Sequence, residues 1–224
     1  MQKLFNFLII VILLVISGCG KKTSPVPIEK SVPVGFSFKL KPEWFGIRLM
    51  FKLPYKTKGG DLLTSIKFIL VEKQSVSQGK KMIFKIYPDL HSSARTYIYD
   101  DVKVKSGECY YYRIKIVKGI FVSTPFTRAL KVCWVAPPLP PKEVKIKVLN
   151  KNFVLIKWKK GKNKEVFYQI KKMTPRGVKL ITTYKNFFID RVSGGENCYQ
   201  VRGVVEFKDN QIPGIYSPLT CIIF

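Results

Sequence analysis

One histidine, His91, stands among 224 residues. That scarcity excludes a multi-histidine metal centre and leaves no second imidazole for proton transfer. His91 sits in the polar stretch Asp89-Leu90-His91-Ser92-Ser93, and a serine adjacent to it cannot supply the geometry of a nucleophile triad. Gly161-Lys162 lacks the glycine and Ser/Thr spacing of a phosphate loop. No catalytic set, metal site, cofactor site or small-molecule substrate is therefore expected. Acidic residues are scarce too: 14 Asp and Glu against 40 Lys and Arg give a formal net charge of +26. A balance so basic points to an anionic partner such as nucleic acid, headgroups or an acidic polymer. The remaining composition, 46% hydrophobic and 24% charged, is that of a globular chain long enough for one large domain or two small ones.

Leu4 to Ile16 is a nearly continuous apolar run behind Lys3. Its roughly 13 residues match a signal-peptide core and fall short of the ~20 a spanning helix needs. It ends in Ile16-Ser17-Gly18-Cys19, which resembles the lipobox of bacterial lipoproteins, although that family prefers Leu where Ile16 stands. The resemblance implies a signal peptide over 1–18, cleavage before Cys19, and acylation of the Cys19 thiol, so that membrane lipid is a partner. An ordinary cleaved signal or a retained anchor is the alternative. Residues 19–30 are rich in Lys and Pro without apolar periodicity, which predicts a tether and not a helix. Because Gly20 follows the cysteine where inner-membrane lipoproteins carry Asp, the resemblance places the protein at the outer membrane in a cell that has two.

Beyond about residue 31, short β-rich runs recur between Gly, Pro, Asn and Ser. Val144-Lys145-Ile146-Lys147-Val148 alternates apolar with Lys, the pattern of a strand with one wet face. The chain also repeats itself. Gly107-Glu108-Cys109-Tyr110-Tyr111-Tyr112-Arg113 is echoed by Gly195-Glu196-Asn197-Cys198-Tyr199-Gln200-Val201-Arg202, and Ser123-Thr124-Pro125 by Ser217-Pro218, each copy ahead of a further cysteine. The repeat is too long for a solenoid unit and fits one small sandwich. Ala136-Pro137-Pro138-Leu139-Pro140-Pro141 makes a stiff hinge between the copies. Two domains are expected, 31–136 and 137–224.

These features resemble tandem fibronectin type III domains. In the second copy, Leu155-Ile156-Lys157-Trp158 matches the strand B that buries a tryptophan. Phe167 to Ile170 then matches strand C, Phe187 to Asp190 strand E, and Tyr199 the tyrosine that opens strand F. In the first copy Phe51 stands where Trp158 does, and about 18 extra residues lie before strand F, expected at Pro54–Thr64 and Gln74–Lys81. The resemblance implies an all-β chain of two Greek-key sandwiches with about seven strands each. Strands F and G are neighbours in that fold, which implies the disulfides Cys109–Cys133 and Cys198–Cys221. Four buried free thiols are the alternative. Of the Tyr110-Tyr111-Tyr112 run, at most two rings can share a sheet face, so core and corner roles are expected ahead of a stacking platform.

The charge is spread: +3 over 1–30, +12 over 31–136 and +11 over 137–224. Its densest run, Lys157, Lys159, Lys160, Lys162 and Lys164, is a possible anion-binding site or simply a solvated strand face. The expectation is a lipid-anchored, non-catalytic interaction or scaffold module whose partner is an envelope protein. The alternative is an electrostatic binder of anionic envelope polymer or nucleic acid.

Overall fold

The computed structural model describes residues 25–34, 36–88, 95–160, 166–192 and 194–224. The first copy builds β1 (Ser37–Glu43), β2 (Gly46–Lys52), β3 (Phe68–Ser75), β4 (Lys81–Ile86), β5 (Thr96–Asp101), β6 (Glu108–Val117) and β7 (Leu130–Trp134). They form two antiparallel sheets, β1-β2-β5 and β4-β3-β6-β7. The second copy builds β8 (Lys142–Asn150), β9 (Phe153–Lys159), β10 (Val166–Thr174), β11 (Gly177–Thr183), β12 (Phe187–Arg191), β13 (Glu196–Phe207), β14 (Asn210–Pro213) and β15 (Thr220–Ile223). Its sheets are β8-β9-β12 and β11-β10-β13-β14, with β15 also on β13. Both copies have the strand order of the fibronectin type III sandwich.

Period-two alternation decides which face is buried. On β6, Tyr110, Tyr112, Ile114 and Ile116 turn inward, while Tyr111 is 40% exposed. They meet Ile47, Leu49 and Phe51 from the opposite sheet. In the second sandwich Trp158 occupies the centre with Val154, Ile156, Ile170, Tyr199 and Val201, its indole edge-on to Tyr168 at 5.1 Å between centroids. Phe51, 2% exposed, takes the corresponding place in the first.

Cys109 faces Cys133 and Cys198 faces Cys221 across their strand pairs, bonded at 2.02 and 2.06 Å. The extra length of the first copy falls in three places, not two. Besides 53–67 and 76–80, the link 87–95 is longer than its counterpart 184–186. The first insertion has a structural task. It accepts the incoming chain through Val34 N–H to the Lys56 carbonyl (3.1 Å), Lys58 N–H to Val32 (2.8 Å) and Gly59 N–H to Lys30 (2.8 Å). Ile28–Ser31 forms one 3-10 turn, so the end of the 19–30 stretch, expected as a tether and not a helix, is helical over its last three residues.

The elbow between the sandwiches is braced. β13 runs on past its C-strand partner and turns through Lys208 (φ 45°) and Asp209 (φ 66°) into β14, which lies against β1 and β7 of the first sandwich. Ile212 is fully buried there. A Cβ on Gly214 would stand 2.6 Å from the Pro138 carbonyl oxygen of the linker, so no larger residue fits without displacing the elbow.

Two outcomes are expected. Cys198→Ser with Cys221→Ser should destabilise the second sandwich by about 2–5 kcal/mol in denaturant titration. Gly214→Val should leave each core intact but raise the radius of gyration and protease sensitivity at the 136–141 linker.

Candidate interaction surfaces

A polar clamp ties the two sheets together in each sandwich, buried in the first and partly buried in the second. In the first, Lys73 on β3 and Asp101 on β5 pair at 2.7 Å with side chains 3% and 6% exposed. The Tyr112 hydroxyl donates to the same Asp101 oxygen (2.8 Å), the Lys103 N–H donates to the other (2.9 Å), and Lys73 also donates to the Lys103 carbonyl (2.7 Å). The ammonium lies 4.3 Å from the Tyr110 ring centroid. In the second, Lys172 on β10 pairs with Asp190 on β12 at 2.5 Å, and Tyr199 donates to Asp190 at 2.6 Å.

The carboxylates are equivalent: Asp101 pairs with Ile47 and Asp190 with Val154, each four residues before the large aromatic Phe51 or Trp158. The Lys and Tyr are not equivalent. Lys73 lies opposite Tyr112, three after Cys109, whereas Lys172 lies opposite Tyr199, one after Cys198. The copies reach the same carboxylate from positions two residues apart on the ladder. Tyr110, which aligns with Tyr199, accepts instead from the Lys105 N–H at 2.8 Å, a tyrosine corner.

Burial pushes the Tyr112 and Tyr199 phenols well above the ordinary tyrosine range, and the neighbouring carboxylates add to it. The Arg113 guanidinium, forked onto Glu72 at 2.9 and 2.9 Å, holds that carboxyl below the usual range. Arg48 does the same to Asp100. With these acids engaged, the surface lysines have few partners.

The outer face of β8-β9-β12 collects them. Lys145 lies opposite Lys157, and Lys157 opposite Phe187; Lys147 lies opposite Leu155, and Leu155 opposite Ile189. Lys185 sits over the Phe187 ring at 5.4 Å. Like charges directly opposite on a sheet are destabilising by roughly 0.2–1 kcal/mol, so this face is not optimised for stability. Of the five lysines the sequence singled out, Lys157, Lys159 and Lys160 are exposed here, Lys159 being 3.5 Å from Glu143. Lys162 and Lys164 lie outside the described residues, as do Cys19 and His91. Lys145 and Lys147 were missed as site residues, although their alternation was visible.

Glu196, Cys198 and Cys221 cluster closely enough to suggest a metal centre, but both cysteines are consumed in a disulfide and offer no thiolate. An open groove of about 530 Å³ along the linker is lined mainly by Leu139, Pro140, Pro141, Val144 and Pro218. Lys142, Glu143 and Thr220 complete its lining.

No protein-family model and no curated protein matches the chain. Among solved structures it is similar to the chicken CNTN1 FN1–FN3 domains, at 15% identity and a TM-score of 0.52 over 90% of this chain and 69% of that one. A two-domain fibronectin type III segment of chicken tenascin aligns at 14% identity and a TM-score of 0.36, covering 86% and 99% of the two chains. At these identities the first likeness establishes fold alone: the chain is an all-β protein built as tandem fibronectin type III sandwiches.

Lys73→Met should cost about 3–5 kcal/mol by stranding Asp101, and adding Asp101→Leu should recover much of it in denaturant titration. The raised phenols work on the alkaline side. The folded state keeps protons that the unfolded chain loses above about pH 10, so their stabilisation is intact below that pH and declines above it. Tyr112→Phe should make the fall in melting temperature between pH 9 and 11 shallower.

Proposed function

We propose that the chain is a lipid-anchored lipoprotein of the bacterial cell envelope that acts as a non-catalytic interaction module. Acylation of Cys19 provides the anchor and residues 20–29 the leash, with the outer membrane as its site in a cell with two membranes. The observation that carries the reading is the pair of disulfide-stapled sandwiches joined at a braced elbow. That arrangement holds sheet faces and loops at fixed separation and orientation, and such preorganisation reduces the ordering cost of binding. Anchoring in a plane raises the effective concentration of these faces toward other envelope components. A non-catalytic role is also supported by the pattern of the polar groups. The Lys, Asp and Tyr side chains of the two clamps bond to one another between the sheets, a structural use of these groups.

Crosslinking in intact cells tests this reading. It expects discrete envelope proteins captured on the sheet faces; recovery of polyanions alone contradicts it. The lysine face of β8-β9-β12 favours a second reading, an electrostatic binder of anionic polymer. Under that reading Lys145→Glu should weaken polyanion binding, and binding should fall steeply between 50 and 200 mM salt. The same substitution should raise stability by up to about 1 kcal/mol, because it turns a repulsive cross-strand pair into an attractive one.

A further inference from the structure

One end of the first sandwich presents apolar side chains that no core uses. The turn after β6 is closed by Lys118 and Gly119 N–H groups donating to the Val122 carbonyl at 2.9 and 3.2 Å. At its tip Ile120 and Phe121 are 84% and 81% exposed. Beside it, the Lys67 N–H donates to the Val117 carbonyl at 2.8 Å. At the same end β4 runs out to Tyr87, 71% exposed and edge-on to Phe68, and the Lys85 ammonium covers the Phe68 ring at 4.8 Å. The incoming chain is pinned at this end as well, through residues 30–34 on the 53–67 link. The second sandwich leaves from the opposite end, where β7 runs into the linker.

A hydrogen-bonded turn that holds two large apolar side chains in water gains nothing for folding. Apolar tips ringed by ammonium groups suit the boundary between headgroups and acyl chains, where the tips enter hydrocarbon and the lysines meet phosphate. Among the described residues of the segments that build this end, the acids Glu29 and Asp61 are outnumbered by Lys30, Lys56, Lys58, Lys67, Lys85 and Lys118. We infer that this end of the first sandwich is a membrane-contact surface, with Ile120 and Phe121 inserted into a bilayer that carries anionic phospholipid. The inference rests on the anchored reading for its choice of occupant. Eleven residue steps separate Cys19 from Lys30, a reach of at most roughly 36 Å, so the leash delivers this end to the lipid and keeps the second sandwich away from it.

The test uses the full chain reconstituted into phosphatidylethanolamine–phosphatidylglycerol vesicles. Emission of Phe121→Trp is compared with the parent, whose tryptophans are Trp44, Trp134 and Trp158, and with Leu139→Trp on the linker. The expected result is quenching of the added tryptophan at 121 by lipids brominated in the acyl chain, with iodide quenching about threefold weaker than at 139. Equal iodide access at 121 and 139, without quenching by brominated lipid, overturns the inference. Vesicle flotation separates the two claims. Floating protein with a water-accessible position 121 refutes insertion and leaves anchoring intact. Protein that does not float refutes anchoring, and brominated-lipid quenching at 121 on added vesicles then still decides insertion. Ile120→Ser with Phe121→Ser should abolish that residual vesicle contact, and its persistence would also count against the inference.

Discussion

Each sandwich is tied together by one carboxylate held between its sheets, buried in the first and partly buried in the second. Asp101 and Asp190 stand at the same place relative to the central aromatic, and each is met by a lysine and a tyrosine that reach it from the other sheet. The clamp acts across the whole fold. The register of strand C against strand F suits it, with Lys73 opposite Tyr112 and Lys172 opposite Tyr199. The clamp also brings strand E close enough to seal the core on Phe51 and Trp158. That the two copies meet the demand two residues apart shows that the carboxylate is the invariant of the design. The route to it is interchangeable.

Outside the clamp, alternation governs the molecule. Inward positions make the cores, and outward positions carry many of the 40 Lys and Arg, which far exceed the 14 acids available to pair with them. The net charge of +26 is therefore a property of faces more than of any arm. On β8-β9-β12 it becomes a flat field of ammonium groups over apolar Leu155, Phe187 and Ile189. The elbow gives those faces a fixed bearing relative to the first sandwich, since β14 lies on β1 and β7 and the hairpin tip brings Lys208 toward Glu108. The Glu108 carboxyl is held low chiefly by the Ser77 hydroxyl, with Lys208 contributing.

Much of this architecture was legible in the sequence because its signals are local. The Cys-Tyr-x-x-Arg echo marks both F strands, Trp158 marks a core, and Val144 to Val148 declares a strand with one wet face. The clamp was not legible. Lys73 sits in a run whose alternation gives it an inward position, yet nothing near it in sequence identifies Asp101, 28 residues on, as its partner. The offset between Tyr112 and Tyr199 hid the parallel further. The extension of β13 into β14 was equally invisible, since Ile212 reads as an ordinary loop apolar until the first sandwich covers it. The lysine cluster was read from a contiguous run, whereas the surface is assembled across strands and draws in Lys145 and Lys147.

In the proposed reading, a modified Cys19 holds these braced sandwiches at a membrane. Mass spectrometry of the N-terminal peptide from protein extracted from native membranes tests it most directly. The expected product is a mature chain that begins at Cys19 and carries acyl-chain mass. A peptide with an unmodified Cys19 thiol, or one still joined to the residues before it, would rule out the lipid anchor.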